Sequence, residues 1–82
     1  MNLFKDVRNY ILEEKFKIIY LEGKLNLINY SSVLSFDSEK IIINCENKVL
    51  EVKGENLVIS KILIDELLIE GNIKKIEFRW LL

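Results

Sequence analysis

The sequence predicts a mainly β protein, a small antiparallel β-meander curled into a sandwich or partly open barrel, with one N-terminal amphipathic helix. Three observations lead to it. From Phe16 to Trp80 apolar and polar residues alternate in short stretches, as strands with one buried face require. Turn-forming residues interrupt that alternation roughly every eight to ten positions, the spacing of an all-β sandwich or barrel. A helical period is confined to the N-terminus. With 82 residues, 50% of them apolar, 30% charged and a net charge of -1, the chain reads as one domain spanning 1–82 that folds, because such a composition is neither disordered nor large enough for a second core.

The helix is placed at about 2–14. Leu3, Val7, Tyr10 and Ile11 recur on one helical face, with Lys5, Asp6, Arg8 and Asn9 between them and Asn2 as N-cap, which is the amphipathic pattern. Glu13-Glu14-Lys15 marks the change of period, and the β-region runs from about 16 to 80. Phe16 to Leu21 and Leu25 to Tyr30 form a hairpin across Glu22-Gly23-Lys24. Val33 to Phe36 is a short strand, and Asp37-Ser38-Glu39 turns the chain into Lys40 to Cys45. Glu46-Asn47 reads as a tight hairpin turn in which Asn takes the positive φ.

Val49 to Lys53 follows, with Leu50 and Val52 on one face and Val49 and Glu51 on the other. Gly54-Glu55-Asn56 is read as a reversal that pairs this strand with Leu57 to Ile59, and Gly71-Asn72 as a second reversal after Leu67 to Glu70. The last strand, Ile73 to about Trp80, sets Ile76, Phe78 and Trp80 against Lys75, Glu77 and Arg79. The total is seven or eight short strands. A loose internal echo relates Gly23-x-Leu25-x-Leu27 and Ile41-x-Ile43 to Gly54-x-x-Leu57-x-Ile59 and Leu67-x-Ile69. It is compatible with a repeated hairpin or a short β-solenoid.

Missing residue types exclude most site chemistry. There is no His, Pro, Ala, Thr or Gln, and a single Cys. The ordinary general base near neutral pH, the Ser-His-Asp and Cys-His systems and a mixed Cys/His zinc site are thereby removed. Cys45 forms no internal disulfide and shares a strand face with Ile41 and Ile43, so it reads as a small core residue in a chain from a reducing compartment. Asp65-Glu66 and Glu13-Glu14 are read as solvated charges, since neighbours on a strand point to opposite faces. Asp37-Ser38-Glu39 lacks the oxygen count of a calcium loop, and neither Gly54-Glu55-Asn56 nor Gly71-Asn72-Ile73 has the lysine and hydroxyl of a phosphate loop. Catalytic, cofactor-binding and metal-binding residues are therefore all given as none, no cofactor is expected, and the chain is not expected to be an enzyme.

Apolar runs such as Ile41-Ile42-Ile43 and Ile62-Leu63-Ile64 are far too short to span a bilayer as a helix. The first residues lack the basic start and long apolar stretch of a secretory signal. Twelve basic and thirteen acidic side chains, with Lys74-Lys75 the one basic pair in the β-region, leave no charge footprint for nucleic acid.

Three stretches, Gly23-Lys-Leu-Asn-Leu-Ile-Asn-Tyr30, Val49-Leu-Glu-Val-Lys-Gly-Glu-Asn-Leu-Val-Ile59 and Leu68-Ile-Glu-Gly-Asn-Ile-Lys-Lys-Ile-Glu-Phe78, resemble the YabP/YqfC family of sporulation proteins of endospore-forming bacteria. The Lys-Gly-x-Asn-Leu segment at Lys53 to Leu57 and the Glu-Gly-x-Ile-x-x-Ile-x-Phe ending at Glu70 to Phe78 carry most of the likeness, which leans to the YqfC branch. Relatives commonly have a Pro near the end of the N-terminal segment, and this chain has none. The resemblance implies a non-enzymatic protein made in the mother cell during sporulation, cytoplasmic and in contact with the forespore membrane at most peripherally. It also implies work in spore envelope (cortex and coat) assembly beside a membrane-protein partner. No catalytic residues come with it. The alternative is a membrane-surface or small-ligand binding module.

The remaining functional candidates are apolar surfaces. Trp80-Leu81-Leu82 at the C-terminus either completes the core or forms an adhesive end, and the Leu3, Phe4, Val7, Tyr10 and Ile11 face either covers the sheet or docks on a partner or membrane surface. Phe16 to Leu21 has one gatekeeper, Lys17. If it forms a sheet edge, a homo-oligomer, first of all a dimer, is expected.

Overall fold

The computed structural model describes residues 15–80. Six strands form one open antiparallel sheet: β1 (Lys17–Leu21), β2 (Lys24–Ile28), β3 (Ser32–Phe36), β4 (Lys40–Cys45), β5 (Lys48–Ile62) and β6 (Glu66–Trp80). The helix expected at about 2–14 lies outside the described residues.

The strand order is β1-β2-β6-β5-β4-β3. This corrects the meander: β3 to β6 run in sequence, but the β1–β2 hairpin is laid on the far side of β6, so that Leu25 faces Ile69 and Leu27 faces Leu67. All pairings are antiparallel, which also removes the solenoid, whose stacked turns need parallel neighbours.

The second correction concerns the strand count. Gly54 and Gly71 are not reversals. Each lies inside a 15-residue strand, and the segments on either side of it are collinear parts of that strand. Val49–Lys53 pairs with β6 through Leu50↔Phe78 and Val52↔Ile76, while Ile59 pairs with Ile69. Leu57–Ile59 is therefore not the partner of Val49–Lys53. The register shifts between Lys53 and Gly54 and again between Glu55 and Val58, a disruption that bends a strand. A Cβ on Gly54 would stand 2.1 Å from the Asn72 carbonyl oxygen, and one on Gly71 would stand 2.6 Å from that of Asn56. Two backbones pass each other there with no room for a side chain. Asn56 takes φ 53° and Gly71 φ 138°.

Both bends are held by hairpin turns. The Gly54 N–H donates to the Glu39 carbonyl at 3.0 Å and Leu57 N–H to that of Ser38 at 2.8 Å, both in the β3–β4 turn. The Gly71 N–H donates to the Gly23 carbonyl at 3.1 Å in the β1–β2 turn. The order thus has a two-fold regularity in which β1-β2-β6 corresponds to β3-β4-β5. It relates segment 17–28 to segment 32–45, whereas the sequence echo matches other stretches.

Bending folds the sheet over on itself. One half is β1, β2, the start of β6 and the end of β5; the other is β3, β4, the start of β5 and the end of β6. Their inner faces meet in one core of Leu25, Leu27, Leu67 and Ile69 from the first half, Ile41, Ile43, Cys45, Leu50 and Val52 from the second, and Leu57 at the bend. Nine of these are at most 1% exposed, which a sheet with one bare face could not achieve. Cys45 belongs to the core as expected.

Two of the expected turns stand with a change of detail. In the β1–β2 turn Gly23 takes φ 80°, and in the β4–β5 turn it is Glu46, at φ 64°, that adopts the left-handed conformation instead of Asn47. Glu46 N–H is held by the Ser31 hydroxyl at 3.0 Å.

Candidate functional site

The acidic groups singled out in the sequence have structural partners. Asp37 Oδ1 accepts from the Glu39 and Lys40 N–H groups at 2.7 and 2.8 Å, closing the β3–β4 turn. Those bonds stabilise its ionised form and hold the carboxyl below its usual range. Glu66 accepts from Asn26 at 3.0 Å and pairs with Lys61 at 3.4 Å, which lowers its pKa as well. Its neighbour Asp65 sits in the β5–β6 loop, where its backbone carbonyl accepts from Asn29 N–H at 2.7 Å. Glu13-Glu14 lies outside the described residues. Among the described residues no three His, Cys, Asp or Glu side chains stand together as a metal site. Burial pushes the Cys45 thiol up.

Glu51 is the buried charge that strand alternation does not reveal. It points to the outer face yet is only 5% exposed. Lys53 covers it at 3.1 Å and Arg79 at 3.3 Å, and Lys53 continues to Glu77 at 3.7 Å. The hydrogen bond from Lys53, aided by Arg79, holds the Glu51 carboxyl low. Glu77 faces Glu51 across the β5–β6 ladder, so the lysine also separates two like charges.

Among the described residues, two apolar clefts lie where the folded halves part. The first has a volume of about 330 Å³ and is lined by Phe16, Ile18, Lys48, Phe78 and Trp80. Phe16 meets Phe78 edge to face at 6.4 Å. The Lys48 ammonium lies 5.5, 5.8 and 5.1 Å from the Phe16, Phe78 and Trp80 ring centroids, within cation–π range of all three. The expected face of Ile76, Phe78 and Trp80 is thus present, since these residues pair with Val52, Leu50 and Lys48. Trp80 is nevertheless 66% exposed, so it does not complete the core. Leu81 and Leu82 lie outside the described residues.

The second cleft, about 450 Å³, is lined by Phe36, Asp37, Ser38, Leu57, Val58, Ile59 and Ile62. Phe36 and Ile62 are 66% and 61% exposed. Ile64, at the tip of the β5–β6 hairpin, is the most exposed large apolar side chain among the described residues. Tyr30 braces this tip by donating its hydroxyl to the Leu63 carbonyl. No helix among the described residues is long and apolar enough to cross a membrane.

The arrangement offers apolar and aromatic contact surface at the edges of a rigid sheet. A search of curated proteins returns no match. The family comparison is informative: the YabP family matches residues 13–80, a span that includes every strand, both bend glycines and the aromatic cleft, and on that match the chain belongs to the YabP family and is sporulation-related.

Proposed function

We propose that the chain is a non-enzymatic scaffold or adaptor in assembly of the spore envelope, cortex and coat, working through protein–protein contacts. Its place in the family is the YqfC-like branch, on the Gly23–Tyr30 and Glu70–Phe78 stretches. The observation that supports the reading is the exposure of large apolar side chains on the folded sheet of a sporulation-related chain: Leu21, Phe36, Ile62 and Trp80 are 65%, 66%, 61% and 66% exposed. Apolar surface of this kind, distributed at the sheet edges, serves contacts with other proteins. In this reading the protein works in the mother-cell cytoplasm, at the forespore membrane through a membrane-protein partner.

Deletion of the gene in its endospore-forming host tests this. Spores with a defective cortex or coat, restored by the wild-type chain and not by a Phe36→Glu, Trp80→Glu variant that folds normally, are expected. Spores of normal envelope and heat resistance in the deletion strain overturn it.

A further inference from the structure

The inner face of the folded sheet is unfinished at the aromatic cleft. Phe16, just before β1, and Ile18 and Tyr20 within it form one inward row, because Ile18 and Tyr20 oppose the core residues Leu27 and Leu25. At the end of β6, Phe78 and Trp80 lie on the inner face as well, opposite Leu50 and Lys48. Yet Tyr20, Phe78 and Trp80 are 50%, 43% and 66% exposed. Aromatic side chains that face inward and still meet water mark a part of the core that lacks its cover.

The position, size and charge of the mouth select one occupant, the chain's own residues 2–14. That segment joins the sheet at this mouth: the Lys15 carbonyl accepts from the Asn29 side chain at 2.9 Å, and the next residue, Phe16, lines the cleft. The second cleft also has exposed residues on the inner face, Phe36 and Ile62, but its lining lies between positions 36 and 62, far along the chain from this segment. Residues 2–14 carry the amphipathic helical pattern, with Leu3, Val7, Tyr10 and Ile11 on one face. On a helix that stripe is about 12 Å long, and the row from Phe16 to Tyr20 on an extended strand is about 13 Å.

The charges agree. Lys48 is half-buried in the cleft wall, and among the described residues it has no carboxylate within ion-pair range, whereas Lys53, Lys74 and Arg79 each do. Glu13 and Glu14 precede Phe16 by three and two positions. Their Cα atoms therefore lie within about 11 and 7 Å of that of Phe16 whatever path the backbone takes, and the Phe16 ring is 5.5 Å from the Lys48 ammonium. Both carboxylates are within side-chain reach of the lysine.

We propose that residues 2–14 lie as an amphipathic helix across the aromatic mouth, with the Leu3, Val7, Tyr10 and Ile11 face on the exposed rings and Glu13-Glu14 paired with Lys48. The short tether makes the docking intramolecular, so the segment competes for the mouth at a high effective concentration. Closure of this mouth takes Trp80 out of the surface open to a partner. The outward contacts of the proposed function then fall to Leu21, Phe36 and Ile62.

Trp80 is the one tryptophan of the chain, so its emission in the full-length protein reads the cover directly. The wild type is expected to show a blue-shifted indole protected from acrylamide, and Val7→Glu with Ile11→Glu to shift the emission to the red and increase quenching, with the strand signal in circular dichroism retained. A charge-reversal cycle gives a second test that does not depend on that variant. Glu13→Lys with Glu14→Lys is expected to open the mouth, Lys48→Glu to do the same, and the two changes combined in one chain to restore protection. A wild-type Trp80 as open to acrylamide as in the Val7→Glu, Ile11→Glu chain overturns the proposal. So does protection that is lost on dilution, which assigns the mouth to a second copy, or protection that arises only on addition of phosphatidylglycerol vesicles, which assigns it to a membrane surface. Charge reversals that add instead of compensating overturn it as well. None of these outcomes bears on whether deletion of the gene damages the spore envelope.

Discussion

Gly54 passes Asn72 so closely that a Cβ on it would lie 2.1 Å from the Asn72 carbonyl oxygen. Since no conformational strain attaches to Gly54 itself, whose φ is not among the positive values of the chain, the requirement for glycine is one of space. Gly23 is the opposite case, with φ 80° and the nearest foreign atom 3.8 Å from its missing Cβ.

The two requirements predict an order of effects. Gly54→Ala forces two backbones apart in the middle of the longest ladder and is expected to cost about 3 kcal/mol or more. Gly23→Ala meets only the left-handed penalty of about 1–2 kcal/mol. Chemical denaturation of the two variants measures this directly. Equal losses, or a larger loss at Gly23, would mean that the bend in β5 tolerates a side chain.

How far the sequence can be read follows from the same glycines. Strand alternation locates β1 to β4 and the Ile76, Phe78, Trp80 face, because a period of two is a local property. Glycine marks reversals and close backbone passages alike, so Gly54 and Gly71 read as turns and two 15-residue strands are divided. Strands of that length are far from the usual five or six residues. The sheet order is out of reach, since Leu25↔Ile69 joins residues that no local signal connects. Of the aromatic cleft, Phe78 and Trp80 are legible and Phe16 and Lys48 are not, because only the folding over of the sheet brings β1 to the end of β6. The burial of Glu51 depends on Lys53 and Arg79 lying across it, which alternation alone assigns to a wet face.

Cys45 is 1% exposed and its thiol pKa is raised by burial. Thiolate is the reactive form, so the native protein is expected to react with a disulfide reagent only as fast as it unfolds, and the denatured chain at once. Rapid stoichiometric labelling under native conditions would place Cys45 outside the core.

Core packing predicts a graded response at Ile43, which is fully buried against the opposite half. Ile43→Val is expected to cost about 0.5–1.5 kcal/mol and Ile43→Ala about 2–5 kcal/mol. One core rarely supplies more than about 3–5 kcal/mol to so small a domain, so the alanine variant should be largely unfolded at body temperature by circular dichroism. A cooperative melt of Ile43→Ala near the wild-type temperature would show that the two halves do not share one core.

Acid should weaken the fold through four carboxyls among the described residues. Asp37 is held low by backbone N–H groups, Glu51 by Lys53, Glu55 by Lys74 and Glu66 by Asn26 and Lys61. A carboxyl whose folded pKa lies below its unfolded value binds fewer protons when folded. Its contribution is therefore complete above the unfolded pKa, about 4, and is lost as the pH falls through the folded value. The melting temperature is expected to be level above about pH 5 and to drop progressively below it. Glu51→Gln should lower it at neutral pH, since Lys53 and Arg79 lose their shared anion, and should leave a shallower acid slope. An acid slope identical to that of the wild type would show that the Glu51 cluster contributes nothing through its charge.

Lys48 is the residue through which the aromatic cleft acquires its shape. Its ammonium lies close to three ring centroids, at 5.5, 5.8 and 5.1 Å, and it connects Phe16, just before the edge strand of one half, to Phe78 and Trp80 of the other. The cation stands in the wall of the cleft within reach of all three rings, so the apolar lining carries a charge of the chain's own. Exposed cation–π contacts contribute about 0.5–1 kcal/mol, and on that scale Lys48→Ala is expected to lose about 1 kcal/mol of stability and to change the emission of Trp80, the one tryptophan of the chain. Lys48→Arg keeps a planar cation that stacks on aromatic faces and should restore both. If alanine and arginine behave alike in melting and fluorescence, the ammonium is a bystander and the cleft is shaped by the Phe16–Phe78 edge-to-face pair alone.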